Sequence, residues 1–400
     1  MTGFWLGGYG PAMEGAAEGI GLLAGDEGAP TALSYRGAVT ETPSPSWLAQ
    51  HPTLDVVYAA LEGDAAVQAF ARTGATALTP LGDPVEAGLY VCHVAVARSG
   101  SYLIASCYGD GRVVRIDLDE RGALVPAKAD AAAALRAALL GESGGAPTPG
   151  ADTPDVGRVS ESVPRSGVSA PGADGRAPGA DTRSAGVGVA ATDPYAEAGG
   201  DRVSHAHAAA FLSDGRIATT DLGFDLVRIW RPTGGRLVLD HEVVLPKGTG
   251  PRHMVVHPSG HLHVVTEYSC EVFTLAAGPD GTWAIASSTM ASPVAEVGTD
   301  FPAELARTRD GQFLYTALRG SNTIAALRVR GSGESLETVA LADSGVDWPR
   351  HHLVHEGKLL VAGQRSDTIA LLDLDERTGA PLGIRHEAPV PTPTHFLPVR

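Results

Sequence analysis

His207, Glu267 and Arg252 bring together an imidazole, a carboxylate and a guanidinium. That is a sufficient set for taking a proton from water while holding a developing negative charge. Arg319, Arg350, His205, Asp221 and Gln364 supply further groups able to bind and orient a small anion. Each has a bland rival. Glu267 and Asp221 fit a role capping a turn or neutralising a neighbouring arginine, and Arg252 and Arg350, each within Pro-Arg-His, fit ties between adjacent elements. His205 and His207 offer two metal ligands with no fitting third, so neither a metal nor any other cofactor is expected. His93, His253, His257, His263, His351 and His355 recur inside strand-like runs and read as satisfied sheet residues. No GxSxG elbow, P-loop or dinucleotide fingerprint in strand and helix context occurs, so any chemistry must come from convergence of distant residues.

The element that positions these residues is the stretch Gly248 to Tyr268, GTGPRHMVVHPSGHLHVVTEY. Two valine-rich runs joined by a Pro-Ser-Gly corner favour a hairpin over a helix. If Arg252 starts one strand and Glu267 follows its partner, both emerge on one edge of the sheet. The unit recurs from Ser46, His93, His207, His253, Glu304 and His351, each time as strand, glycine turn, strand, polar loop and third strand. Gly215 to Gly260 is 45 residues, Gly260 to Gly311 is 51 and Gly311 to Gly357 is 46. Repeats near that length, with four strands each, are the mark of propeller blades. Phe4-Trp5-Leu6, Ala32-Leu33-Ser34-Tyr35 and Thr394-His395-Phe396-Leu397 lack complete partner sets. A blade built from both chain ends would use them and remove two exposed sheet edges. The expected fold is therefore all-β: a seven-bladed β-propeller of four-stranded antiparallel blades, the last closed by the N- and C-terminal strands.

A single propeller domain over 1–400 must then carry an insertion. Residues 126–201 open with a stretch suited to a short helix and continue in Pro, Gly, Ala, Ser and Asp with hardly a large apolar side chain. Such a composition cannot offset its ordering entropy, and a disordered spacer is expected.

Within the repeats, the residue eight before each turn glycine forms one column: Cys92, His207, Arg252 and Ala303, with Arg350 one register shorter. A second column holds Leu61-Glu62, Cys107-Tyr108, Asp221-Leu222, Glu267-Tyr268, Leu318-Arg319 and Gln364-Arg365. Equivalent positions of a propeller meet at one mouth of its channel. Packing alone would place apolar residues there, so this mixed set points to a site.

Composition limits the partners. Lys and Arg are outnumbered 30 to 46, the formal charge is -16 and the pI is near 5.3. Nucleic acid and anionic membranes are disfavoured, although a local basic site for a small anion is not. No uncharged apolar run reaches membrane-spanning length. Three cysteines without a CxxC motif suit a reducing cytoplasm, and the N-terminus has no basic region followed by an apolar run of signal-peptide type. A monomer is expected.

Taken in order, the motifs resemble a known family. His205-Ala206-His207, SDGR, Asp221-Leu222-Gly223, GTGPRH, HPSG, Glu267, DGQFLYTALRG and GQRSDTI are similar to those of seven-bladed propeller lactonases of the 6-phosphogluconolactonase type. The related carboxymuconate cyclases share that fold. The likeness covers nearly all of the chain outside the insertion. It implies site roles for His207, Arg252, Glu267 and Arg319, no cofactor, and an anionic lactone as small-molecule partner. It further implies a place in carbohydrate metabolism, within the pentose phosphate pathway. The chain departs from the family in carrying Cys107, Thr266, Leu318 and Gly363 where the motifs usually show Asn. The resulting expectation is a lactone hydrolase in which Glu267 or His207 activates water while Arg252 and Arg319 hold the anion and oxyanion. Two alternatives remain: a non-catalytic propeller that presents its rim to a protein and has no anion site, and a lactone-forming cycloisomerase that uses the same His, Glu and Arg set.

Overall fold

The structure, a computed structural model, describes residues 3–26, 29–126 and 202–400. Within them lie seven antiparallel sheets arranged as the blades of a propeller. The first blade is the seam. Its inner strand is the C-terminal Pro393–Pro398, followed outward by Gly3–Gly8, Gly19–Asp26 and Ala29–Glu41. The other six run from inside to outside in chain order, with inner strands Pro45–Gln50, Val91–Val96, Ala206–Phe211, Pro251–Val256, Phe301–Arg307 and Pro349–His355. The second blade carries a short additional strand, Val85–Glu86, paired with Ala66–Arg72. From residue 127 onward the expected insertion, with its short helix, lies outside the described residues.

A twisted four-stranded blade is apolar on both faces and has to be covered on both. The packing shows how that is met. Seven apolar clusters each join one pair of neighbouring blades, so among the described residues every blade is packed against both neighbours. The seam obeys the period-2 alternation of a strand. Phe4 and Leu6 turn towards the seventh blade, whereas Trp5 packs with Leu48 and Val57 of the second.

Polar ties repeat the pattern between blades. His51 Nε2 lies 3.0 Å from the carbonyl of the turn residue Gly100, and His257 Nε2 lies 3.0 Å from that of Gly311 in the next blade round. His257 is thus a satisfied structural residue, as its sequence context implies. All three cysteines are free and buried. Among the described residues no helix is long and apolar enough to cross a membrane.

Candidate active site

One irregularity builds the site. On every inner strand the pairing register slips near its start, so one extra residue opposes the second strand: between Pro45 and Trp47, Val91 and His93, Ala206 and Ala209, Pro251 and His253, Pro302 and Leu305, Pro349 and His351, and Pro393 and His395. Such bulges re-aim side chains. Seven in one layer add a ring of residues to the channel wall at the mouth: Ser46, Cys92, His207, Arg252, Ala303, Arg350 and Thr394. This is the first column of the sequence, now including the two blades that the glycine count did not reach. Above it, the residues at or just past the ends of the second strands form the rim: Tyr9, Glu62, Tyr108, Leu222, Glu267, Arg319 and Gln364.

The hairpin expectation holds in detail. Pro251 pairs with Thr266, and the Glu267 amide donates to the Gly250 carbonyl at 2.7 Å. The approach to Arg252 is held by Asp225, a buried carboxylate that accepts from the amides of Gly248 and Gly250 at 2.8 and 2.7 Å and from the Thr249 hydroxyl at 3.2 Å. Gly250 has φ +64, and a side chain there would collide with the Tyr268 ring. Only glycine fits such a backbone at such a contact.

These anchors set the central cluster. Glu267 Oε2 lies 2.8 Å from Arg252 Nε and 3.0 Å from Arg319 Nη2. Arg252 also donates through Nη1 to the Ala303 carbonyl, and Arg319 through Nε to the Phe301 carbonyl at 2.9 Å. Each guanidinium has five N–H groups, donates one to a backbone carbonyl and meets Glu267 as an ion pair, leaving donors for a ligand. Burial alone would raise the Glu267 carboxyl, but Arg319 and then Arg252 outweigh it and hold it below the ordinary value. Burial, reinforced by Arg319, brings Arg252 down to about 10, still charged at neutral pH.

A second cluster stands beside it. Arg350 Nη1 is 3.3 Å from Gln364 Oε1, and its guanidinium sits 4.9 Å from the centroid of the Tyr9 ring. The Tyr9 hydroxyl donates to Glu62 Oε2 at 3.0 Å. Burial pushes the Tyr9 phenol far up, so it stays a donor. Burial works against the charge on Arg350, yet Tyr9 and Glu62 raise it overall. Three guanidinium groups face two carboxylates across this mouth, leaving it locally cationic on an acidic protein. The second column contained Glu62 and Tyr108 without giving them a role, and Tyr9 stood outside it. The signal was the register, because each directly follows a second strand or its first-blade equivalent.

His207 is almost fully buried, and neither of its ring nitrogens hydrogen-bonds to a described residue. Burial, then Arg252 and Arg350, push it well below its ordinary value, which leaves a neutral imidazole beside two arginines. His205 lies at the rim rather than in this layer. Its ring stacks on Tyr108 at 4.3 Å, and its Nδ1 is 2.6 Å from the Tyr108 carbonyl. The Tyr108 ring also meets His207 edge-on, 6.3 Å between centroids.

Asp221 belongs elsewhere. It ends its strand opposite Ala206, one position short of the rim, where Leu222 stands in the register of Glu267. Its carboxylate is buried, 2.7 Å from Arg228 Nη2, and accepts from the amides of His205 and Phe224 at 2.9 and 3.0 Å and from the Ser204 hydroxyl. It staples the His205–His207 segment, the bland reading of that residue. Cys107, Thr266, Leu318 and Gly363 share the position of Asp221, and all four are buried beneath the rim. Thr266 there accepts from the Glu271 amide at 3.1 Å and holds its loop. The departures from the family motifs therefore fall at buried positions beneath the rim.

Beneath the mouth, the next residue of each strand closes the channel. Trp47 lies across it, 4.1 Å from the ring of His395, 4.4 Å from His93, 5.4 Å from His351 and 5.5 Å from His253. Glu304 and the small Ala208 complete this floor. Burial is the main cause that pushes His93 and His395 to about 3 and His253 and His351 well down. Among the described residues no group of three or more His, Cys, Asp or Glu side chains is placed to hold a metal ion.

Comparison with known proteins agrees with this architecture. The YwcC protein of Lactococcus lactis subsp. lactis (strain IL1403) is 31% identical over 181 residues, 44% of this chain and 53% of that protein. A Bacillus subtilis (strain 168) protein named 6-phosphogluconolactonase is 28% identical over 180 residues, 44% of this chain and 52% of its own length. The chain thus spans about half the length of these curated relatives. Among solved structures, the Pseudomonas aeruginosa periplasmic gluconolactonase PpgL superposes with a TM-score of 0.76 at 20% identity, covering 100% of this chain and 99% of its own. A Lactobacillus plantarum protein gives 0.75 at 20% identity with 100% of both chains covered. At such identity these two establish the fold alone. The model of the family described as Lactonase, 7-bladed beta-propeller, matches residues 4–135 and 182–398, and the chain belongs to that family.

Proposed function

We propose that this protein is a lactone hydrolase whose substrate carries an anionic group, with 6-phosphogluconolactone as the first compound to test. The observation that carries this reading is the sharing of one Glu267 oxygen by Arg252 and Arg319 at the rim of a locally cationic mouth. The name of the Bacillus subtilis relative supports the choice of compound.

A lactone carbonyl is already electrophilic, so no covalent nucleophile is needed. The site has to orient the ring, deprotonate water and stabilise the oxyanion. His207 suits the base: it is neutral, and its nitrogens are not engaged by described residues. Glu267 suits orientation better, because one of its carboxylate oxygens is already shared by two arginines. Arg252 and Arg319 then direct their unspent N–H groups at the carbonyl oxygen. Arg350, steadied by Tyr9 and Gln364, takes the anionic substituent. Guanidinium forks outperform ammonium groups in such bidentate work.

The test is release of acid from 6-phosphogluconolactone by wild type and by Arg252→Ala. Wild type without activity, or a variant with full activity, would overturn the proposal.

A further inference from the structure

Glu304 is the carboxylate of the channel floor. It follows Ala303, the smallest residue of the mouth ring, so its own strand places only a methyl group above it. Arg252 reaches across that gap to the Ala303 carbonyl. From the seventh blade, the His352 amide donates to Glu304 Oε2 at 3.0 Å, and His351 Nε2 lies 3.3 Å from the same oxygen.

The proton on this carboxyl can be located. The Phe396 amide donates to His351 Nδ1 at 3.3 Å, so Nδ1 carries a lone pair and the neutral ring holds its hydrogen on Nε2. Glu304 Oε2 therefore accepts from the His352 amide and lies beside the His351 Nε2–H. Oε1 has no hydrogen bond to a described residue and is not enclosed, and the side chain keeps 8% of its surface exposed. Burial pushes the Glu304 carboxyl well above the ordinary carboxylate range, more than the His352 amide and Arg252 bring it down. The acid form then has its hydrogen on Oε1, the free oxygen. The groups that face it from packed elements are Arg252 and His253 of the fifth blade and His351 and His352 of the seventh.

We propose that Glu304 is a second proton-handling residue of the site, an un-ionised carboxylic acid whose Oε1–H is delivered to the ring oxygen as the lactone opens. This rests on the lactonase reading. In that sequence His207 takes one proton from water, and the hydroxide adds to the carbonyl carbon. The bond from that carbon to the ring oxygen then breaks, and the oxygen takes the Glu304 proton to become the product hydroxyl. The imidazolium and carboxylate left behind return to their resting forms through solvent, and the product acid ionises. Two carboxylates are thus held apart in role, Glu267 ionised and Glu304 protonated, a separation that environment can impose on one site.

The experiment pairs kinetics with infrared spectroscopy on the full chain. Glu304→Gln is expected to lower kcat about 100-fold, within the range for a general acid, with KM nearly unchanged. The alkaline limb of the kcat pH profile should vanish with it, while Glu304→Asp retains that limb. The wild-type spectrum minus that of Glu304→Gln should show, at pH 7, the carbonyl stretch of an un-ionised carboxylic acid. Absence of that band, or wild-type kcat in Glu304→Gln, overturns the donor role. If Glu304→Gln fails to fold, infrared titration of wild type decides the protonation state by itself. Wild type that shows the band but turns over no lactone overturns the functional reading, and the donor role with it.

Discussion

Arg252 Nε and Glu267 Oε2 stand 2.8 Å apart at the start and the end of one hairpin, and the pair is mostly withdrawn from water, with 6% and 18% of the side chains exposed. Arg319 approaches the same oxygen from the next blade. One carboxylate therefore fixes two guanidinium groups that would otherwise repel each other, and several consequences can be measured.

Removal of either partner should be costly in different ways. Glu267→Gln leaves two buried cations uncompensated and should destabilise the fold by about 3 kcal/mol, read from urea unfolding. Arg252→Ala should lower kcat/KM for an anionic lactone by about 100-fold. Arg252→Lys should not restore it, because an ammonium cannot span both Glu267 and Ala303. Recovery of full activity in the lysine variant would show that charge alone suffices.

Tyr9 tests the second cluster. Tyr9→Phe keeps the ring under Arg350 but deprives Glu62 of its donor, at a cost of about 1 kcal/mol. Tyr9→Leu also removes the cation–π contact, worth about 0.5–2 kcal/mol. KM should therefore rise in the order wild type, Tyr9→Phe, Tyr9→Leu, and equal values for the two variants would deny Arg350 its contact with substrate.

The channel floor predicts acid sensitivity. His93, His253, His351 and His395 have folded values below the unfolded one near 6.5, so the unfolded chain binds protons that the fold refuses. Their stabilisation is present above pH 6.5 and is lost as pH falls towards the depressed values. Each contributes about 1.4 kcal/mol per pH unit in that window. Tm should drop steeply between pH 6.5 and 5, with a shallower slope in His395→Phe. A flat profile to pH 5 would mean that the floor is hydrated.

Glu304 predicts the opposite slope. Its folded value is raised, so its contribution is fully present below the unfolded value near 4.5 and declines as pH rises towards the folded one. Glu304→Gln should therefore gain stability relative to wild type between pH 5 and 8, seen as a widening difference in Tm.

Closure by the termini gives a final test. Phe396 is buried in the cluster that joins the first and seventh blades, and its strand is the inner member of the seam. Deletion of residues 393–400 removes that strand, its ladder with Gly3–Gly8 and the floor residue His395. Cooperative unfolding should be lost or shifted down by well over 10 °C in calorimetry. A deletion variant with unchanged Tm would refute closure as a source of stability.

Much of this was legible in the residues themselves. Strand, glycine turn and strand are local patterns, and their recurrence near 45 residues showed blades before any contact was known. The orphan strands at both ends required each other, because an open ring would expose two edges. The hairpin logic that put Arg252 and Glu267 on one edge needed only a turn and a count.

Three features needed the tertiary structure. Asp221 and Leu222 are adjacent, and a one-residue difference in register decides which faces the mouth, so the acid that looked chemical became a loop staple. Glu62 was only a position in a column and Tyr9 carried no motif, and the two meet only when the seam brings the first and second blades together. Glu304 reads as an ordinary strand residue until bulges on all seven inner strands place it under Arg252 and beside His351. Local sequence specifies which residues alternate and where the chain turns, because those depend on neighbours a few positions away. Which side chains share one pocket depends on register slips and ring closure summed over the whole chain, and these were decided only in the folded molecule.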